Sequence, residues 1–312
     1  MALPDAGRVC PQDYYYGAGS MSRIAEIDAT TLYIVGGLYG NRPALDAIEL
    51  LAESERATLV FNGDFHWFDR NAANFADVNH RVLHHHALRG NVETELSRPE
   101  ELGAGCGCAY PPEVDQQIVD WSNGILSELR AAAQARGGQC RTLAALPMTL
   151  VATVGGVRVG IVHGDCESLA GWRFSAASLR LPGTREWLQE VRLRSKIDVF
   201  ASSHTCLPVM RSFTLPSGPL VVANNGAAGL ANFAGTTYGI VTRVSTRPWR
   251  ARPLHRTEIA GVFVEAIPLS FDHAHWCSEF LSQWPAGSAA RLSYWKRIAV
   301  GPAYTVVDAY RL

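Results

Sequence analysis

Five short stretches place side chains that hold metals or carry protons beside glycine or other small residues: Gly37-Leu38-Tyr39-Gly40-Asn41, Asn62-Gly63-Asp64, Gly90-Asn91-Val92-Glu93, His163-Gly164-Asp165 and Ser202-Ser203-His204-Thr205-Cys206. Carboxylate, amide, imidazole, phenol and thiol groups are all represented, the mixed donor chemistry that first-row divalent ions accept. Singly, each stretch reads as a glycine turn, an Asx cap or a histidine at the end of a strand. Together they recur at one kind of place, the carboxyl end of an apolar run, where open α/β sheets set their sites. His66, two residues past Asp64, adds another imidazole. Cys106 and Cys108 form CxC without a second pair at zinc-finger spacing and read as a turn.

The runs that must position these residues are short and bounded by Gly, Pro, Asn or Ser: LYIV at 32–35, TLVF at 58–61, VRVGIV at 157–162, DVFA at 198–201, LVVAN at 220–224 and YGIVTRV at 238–244. Buried strands have this form. Between the first two, Asn41 and Pro43 supply a cap and an early proline, after which Leu45, Ile48 and Leu51 fall on one helical face. That is a βαβ opening. A second helix is predicted after Pro111-Pro112, where Val114, Ile118, Trp121, Ile125 and Leu129 recur at three- to four-residue spacing. From Leu150 to Val162 two strands close around Gly155-Gly156 as a hairpin. The sequence thus predicts an α/β chain with two packed sheets flanked by helices. Its expected divisions are an irregular arm over 1–30, a main domain over 31–246 with a helical insertion near 96–140, and a strand-and-helix extension over 247–312 packed on that domain.

Composition narrows the function. Hydrophobic residues make up 47% and charged ones 18%, which predicts a well-packed body with much buried sheet. Twenty-eight basic against 29 acidic residues leave a net charge of -1, so no electrostatic footprint points to nucleic acid or an anionic membrane, and a small ligand is the expected partner. No stretch reaches the ~20 apolar residues of a membrane span, and the opening residues lack the pattern of a signal peptide. A cytoplasmic chain with its seven cysteines reduced is expected.

In their order, the five stretches resemble the signature motifs of the calcineurin-like metallophosphoesterases, which run DxH, GD, GN followed by His or Cys and an acid, a strand-end HG, and GHTH. The resemblance spans about 37–230 and closes with Asn224-Asn225-Gly226-Ala227-Ala228-Gly229, which looks like that family's NPGS turn. It is nearest to the small bacterial branch whose third motif reads GNCD. The resemblance implies a four-layer α-β-β-α sandwich and two divalent ions that clamp a phosphate and activate water. Carried over by position, one ion is implied to be held by Asp64, Asn91, His163 and His204, a set suited to Mn²⁺, Fe²⁺ or Zn²⁺.

The second ion is implied to have lost its ligands. Gly37 and Tyr39 stand at the Asp and His of DxH, and Cys206 at the second His of GHTH. Val92 stands where relatives have the histidine that protonates the leaving oxygen, and Trp67 where GDxxD has its second acid. One ion per chain is therefore expected, with His66 and Tyr39 over the vacated position as phosphate contacts or proton donors and Asn41 nearby. Cys206 and Glu93 are expected to line it. The implied function is hydrolysis of a small phosphomonoester or phosphodiester by metal-activated water. The alternative is an inactive relative that keeps the fold, and a metal or ligand, as a regulatory protein.

Overall fold

The computed structural model describes residues 6–98, 103–134 and 138–311. Residues 1–5 of the expected arm, and 99–102 and 135–137 of the expected insertion, lie outside them. In chain order the first strands are β1 (Ile27–Ala29), β2 (Thr31–Val35), β3 (Thr58–Asn62), β4 (His86–Leu88), β5 (Thr149–Val154) and β6 (Val157–Val162). Then come β7 (Val199–Ser202), β8 (Val209–Leu215), β9 (Gly218–Asn224), β10 (Gly239–Ser245), β11 (His255–Ile259) and β12 (Val262–Leu269). They form two six-stranded sheets, ordered β1-β5-β6-β7-β9-β8 and β11-β12-β10-β2-β3-β4. All six sequence-predicted runs lie on strands.

Alternation along these strands decides the layering. In β2, Leu32 and Ile34 join one apolar cluster while Tyr33 and Val35 join another, because successive side chains leave opposite faces of a sheet. In β7, Val199 and Ala201 enter the cluster shared with β2, and Phe200 enters a third. A strand apolar on both faces has to be covered on both. The shared cluster is the inter-sheet core. The outer face of the β2 sheet packs against α1 (Arg42–Glu55), α2 (Ala72–Val82) and, through the same cluster, helices farther along. These include α4 (Gln116–Gln134), beyond the short α3 (Asn91–Ser97). On the outer face of the other sheet lies α6 (Thr184–Ser195), which follows α5 (Gln139–Ala144). The result is the α-β-β-α sandwich.

Details differ from the sequence reading where periodicity underdetermines position. The buried stripe of α4 runs through Val119, Ser122, Ile125 and Leu129, whereas Ile118 is exposed. Residue 119 rather than 118 faces inward, and Gly7 of the arm packs against it: a Cβ on Gly7 would lie 2.7 Å from Val119 Cγ1. The arm itself ends in β1, which pairs in parallel with β5. Beyond 246, β12 pairs with β10 from Phe263↔Ser245 to Leu269↔Gly239 and so completes the β2 sheet. Three more helices follow, α7 (His273–Gln283), α8 (Ala289–Val300) and α9 (Val306–Tyr310). Among the described residues no helix is long and apolar enough to cross a membrane.

Candidate metal centre

Four strand ends, two from each sheet, meet at one point: Asp64 follows β3, Asn91 follows β4, His163 follows β6 and His204 follows β7. Glycine makes the first pair possible. A Cβ on Gly63 would lie 2.5 Å from Gly90 N, and one on Gly90 would lie 2.3 Å from Asp64 Oδ1, so a side chain at either residue would part the two turns. Asp64 is held in the left-handed region, at φ 54. The Glu93 carboxylate fixes it there, accepting from the N–H groups of Asp64 at 2.8 Å, Phe65 at 3.0 Å and Gly90 at 2.9 Å.

Backbone carbonyls aim the other three residues. His163 Nδ1 donates to the Asn62 carbonyl at 2.9 Å, His204 Nε2 to the Cys108 carbonyl at 3.0 Å, and Asn91 Nδ2 to the Cys106 carbonyl at 2.9 Å. A carbonyl only accepts, so each bond fixes one atom that carries hydrogen, and in the amide and the neutral rings the other is bare. The bare atoms converge. His163 Nε2 lies 3.0 Å from Asn91 Oδ1, 3.1 Å from His204 Nδ1 and 3.3 Å from Asp64 Oδ2. Ligands of one ion bound at about 2.0–2.2 Å stand about 3 Å apart, which is this spacing. Four acceptors facing one another in a buried place repel unless positive charge sits among them. The residues present therefore fit a divalent ion.

Without an ion, the charged form of His163 faces Asp64. Burial opposes the Asp64 carboxylate, but His163 and His204 outweigh it and hold the group below its ordinary pKa. Burial also opposes protonation of His163, and Asp64 overcomes it, raising that imidazole. Burial, and then His163, press His204 down to about 3, so its ring is neutral near pH 7, as a ligand must be.

Three residues expected over, near or lining the vacated position are elsewhere. Asn41 caps α1: its Oδ1 accepts from Ala44 N at 2.9 Å and its Nδ2 donates to the Gly229 carbonyl at 2.8 Å, so both ends of the amide are engaged. His66 is fully buried, with Nδ1 2.6 Å from Asp69 Oδ2, Nε2 3.4 Å from Asn79 Oδ1 and its ring stacked on Phe75 at 3.7 Å. Glu93 lies behind Asp64 on the three N–H groups described above. Replacing Glu93 with alanine leaves those donors buried and unpaired, and is expected to cost about 3–5 kcal/mol of stability in urea unfolding. A loss under about 1 kcal/mol would show that the turn holds itself.

Tyr39 and Cys206 do stand together, with the phenol oxygen 2.9 Å from Cys206 Sγ. A Cβ on Gly37 would lie 3.0 Å from Tyr39 Cζ and 3.1 Å from its hydroxyl, so the phenol occupies the space that a side chain at 37 would need. Burial, then Cys206 and Asp64, raise this phenol well above its usual pKa, and it remains an O–H donor.

Above these atoms opens a pocket of about 310 Å³, walled by Trp67, Tyr110, Trp172 and Tyr294, with Arg297 as its cation. None of these was singled out from the sequence as a site residue. Tyr294 and Arg297 are three apart on α8 and share a face, but no sequence signal places that face over the site. The CxC turn also does more than expected, since its two carbonyls orient Asn91 and His204. Its cysteines are joined by a disulfide, which corrects the expectation of seven reduced thiols; the other five are free.

No family model and no curated protein matches the chain. Among solved structures it is similar to a metallophosphoesterase from Sphaerobacter thermophilus, at 14% identity and a TM-score of 0.53 over 87% of this chain and 100% of that one. It is also similar to a hypothetical protein from Pyrococcus horikoshii OT3, at 13% identity and a TM-score of 0.57 over 89% of this chain and 100% of that one. With two mixed six-stranded sheets between helical layers and a likeness that takes in the whole of both neighbours, the chain has the fold of the calcineurin-like metallophosphoesterases.

Proposed function

We propose that this chain is a metal-dependent phosphoric ester hydrolase that works with one divalent ion, Mn²⁺, Fe²⁺ or Zn²⁺. The observation that carries the proposal is the convergence of four bare acceptors, from Asp64, Asn91, His163 and His204, beside a pocket large enough for a small phosphorylated compound. An ion held there supplies Lewis-acid polarisation of a phosphoryl oxygen and an acidified water. The chain's own residues do the rest. Asp64 provides the anionic ligand, the two imidazoles and the amide fix its geometry, and Tyr39, its hydroxyl against Cys206 Sγ, lines the pocket beside them. The pocket walls exclude water and hold the organic part of the ester.

The acid that the resemblance assigns to the leaving oxygen is missing from its place. Val92, at the position of the relatives' histidine, is buried and apolar, and His66 and Asn41 are engaged in the scaffold. Turnover is therefore expected to favour esters whose leaving groups depart unprotonated. The same observation favours the second reading, a protein that binds a phosphorylated ligand without cleaving it. Assays of nitrophenyl and alkyl phosphomonoesters and phosphodiesters decide, run on metal-stripped protein and after adding Mn²⁺, Fe²⁺ or Zn²⁺. Metal-restored cleavage, faster on nitrophenyl than on alkyl esters, is the expected result. A fully metal-loaded protein that turns over none of them leaves the binding reading.

A further inference from the structure

Arg297 reaches the pocket from α8, at the side where the second ion's ligands have been replaced. Its Nε donates to the Ala231 carbonyl at 3.0 Å and its Nη2 to the Cys206 carbonyl at 2.7 Å. Cys206 is the residue standing at the second histidine of GHTH, and its sulfur contacts Tyr39, which stands at the histidine of DxH. The guanidinium is thus tied to the pair of residues that mark the abandoned position. Both of its partners are neutral carbonyls. They orient the group without cancelling its charge, and among the described residues no carboxylate forms an ion pair with it. Nη1 has no hydrogen-bond partner among the described residues. A guanidinium is always charged and presents a planar fork that suits a phosphate. Held at two points, it is oriented before a ligand arrives, which is the condition for an effective electrostatic contact.

We propose that Arg297 binds the phosphoryl group of the ligand through its free N–H groups, supplying in a fixed position the positive charge that a second ion would have brought. The assignment rests on the site being a phosphate-ester site, as proposed above, but it concerns binding and does not require turnover. An ion held by Asp64, Asn91, His163 and His204 would meet one side of the phosphoryl group, and Arg297 meets the other. No acidic side chain other than Asp64 lines the pocket among the described residues, so nothing there competes with the ligand for the guanidinium.

The probe is inorganic phosphate, titrated calorimetrically into Mn²⁺-loaded wild type, Arg297→Gln and Arg297→Lys, with metal per chain measured on the same samples. Arg297→Gln is expected to weaken phosphate binding roughly 10–100-fold with metal content unchanged. Arg297→Lys should recover part of the loss, because charge returns without the fork. Since the side chain also ties α8 to two loops, circular dichroism and melting establish that each variant is folded, and the lysine variant carries the test if the glutamine variant is not. Phosphate affinity within twofold of wild type in a folded, metal-loaded variant overturns the assignment, as does a wild type that binds no phosphate. The two proposals fail separately. Arg297-dependent phosphate binding without ester cleavage sinks the hydrolase and keeps the assignment, whereas cleavage by Arg297→Gln at wild-type kcat/KM does the reverse.

Discussion

Replacing His204 with alanine is expected to strip the ion from the protein while leaving the sandwich folded. The imidazole contributes one of four converging atoms, and its outer nitrogen bonds a single loop carbonyl, that of Cys108. Losing a partner that merely orients a ligand costs 10–100-fold in metal affinity, so losing the ligand itself should cost at least about 100-fold. The structural cost is smaller. His204 lines the pocket, with its ring edge-on to Trp172 and His163, and its removal enlarges a space that is already there. Elemental analysis after dialysis, set beside a thermal melt, separates the two effects. Metal per folded molecule unchanged from wild type would show that the histidine is scaffold, and a variant that unfolds outright would show the same.

The wild-type chain is expected to hold one ion, and the variant Gly37→Asp/Tyr39→His/Cys206→His to hold two. Gly37 sits at φ 64, a conformation that aspartate tolerates better than most residues, so the backbone permits the change. The obstacle is the phenol, which lies where the new side chain must go. Gly37→Asp alone is therefore expected to be destabilised and to gain no metal, while the triple variant removes the ring and supplies three ligands beside Asp64. A second ion contributes several kcal/mol of charge stabilisation in such sites, so diester cleavage should rise roughly 100-fold or more. A triple variant that folds and still binds a single ion would mean that more than these three side chains closed the position. Two ions in the wild type would mean that Tyr39 or Cys206 serves as a ligand.

The architecture was legible because strands buried on both faces are written as continuous apolar runs, and Thr58–Asn62 or Val157–Val162 can be read with little else. Asp64, His163 and His204 were legible for a related reason, since each comes shortly after such a run, whereas Asn91 follows the short β4 and was legible only through its motif. Direction was not legible. His66 is two residues from Asp64 in the chain, but a left-handed turn lies between the strand and the histidine, and its ring ends against Phe75. Asn41 has the spacing of a helix cap and turned out to be one. The pocket walls were least legible, because Tyr294 and Arg297 come from a helix whose placement depends on tertiary packing and not on any local pattern.

The alternation of the two sheets along the chain has a consequence for how the protein is made. Strand β2 emerges early, yet its antiparallel partner β10 lies about 200 residues later, and β1 must wait for β5. Contacts so distant in sequence form late, and chains of this size fold through partly assembled states. In any state where only one sheet has formed, two of the four acceptors are present. The site exists only when the sheets have docked, so an ion bound there favours the docked form by mass action. Cobalt substituted at the site would accordingly report, through its absorption during refolding, the moment at which two separately built halves become one molecule.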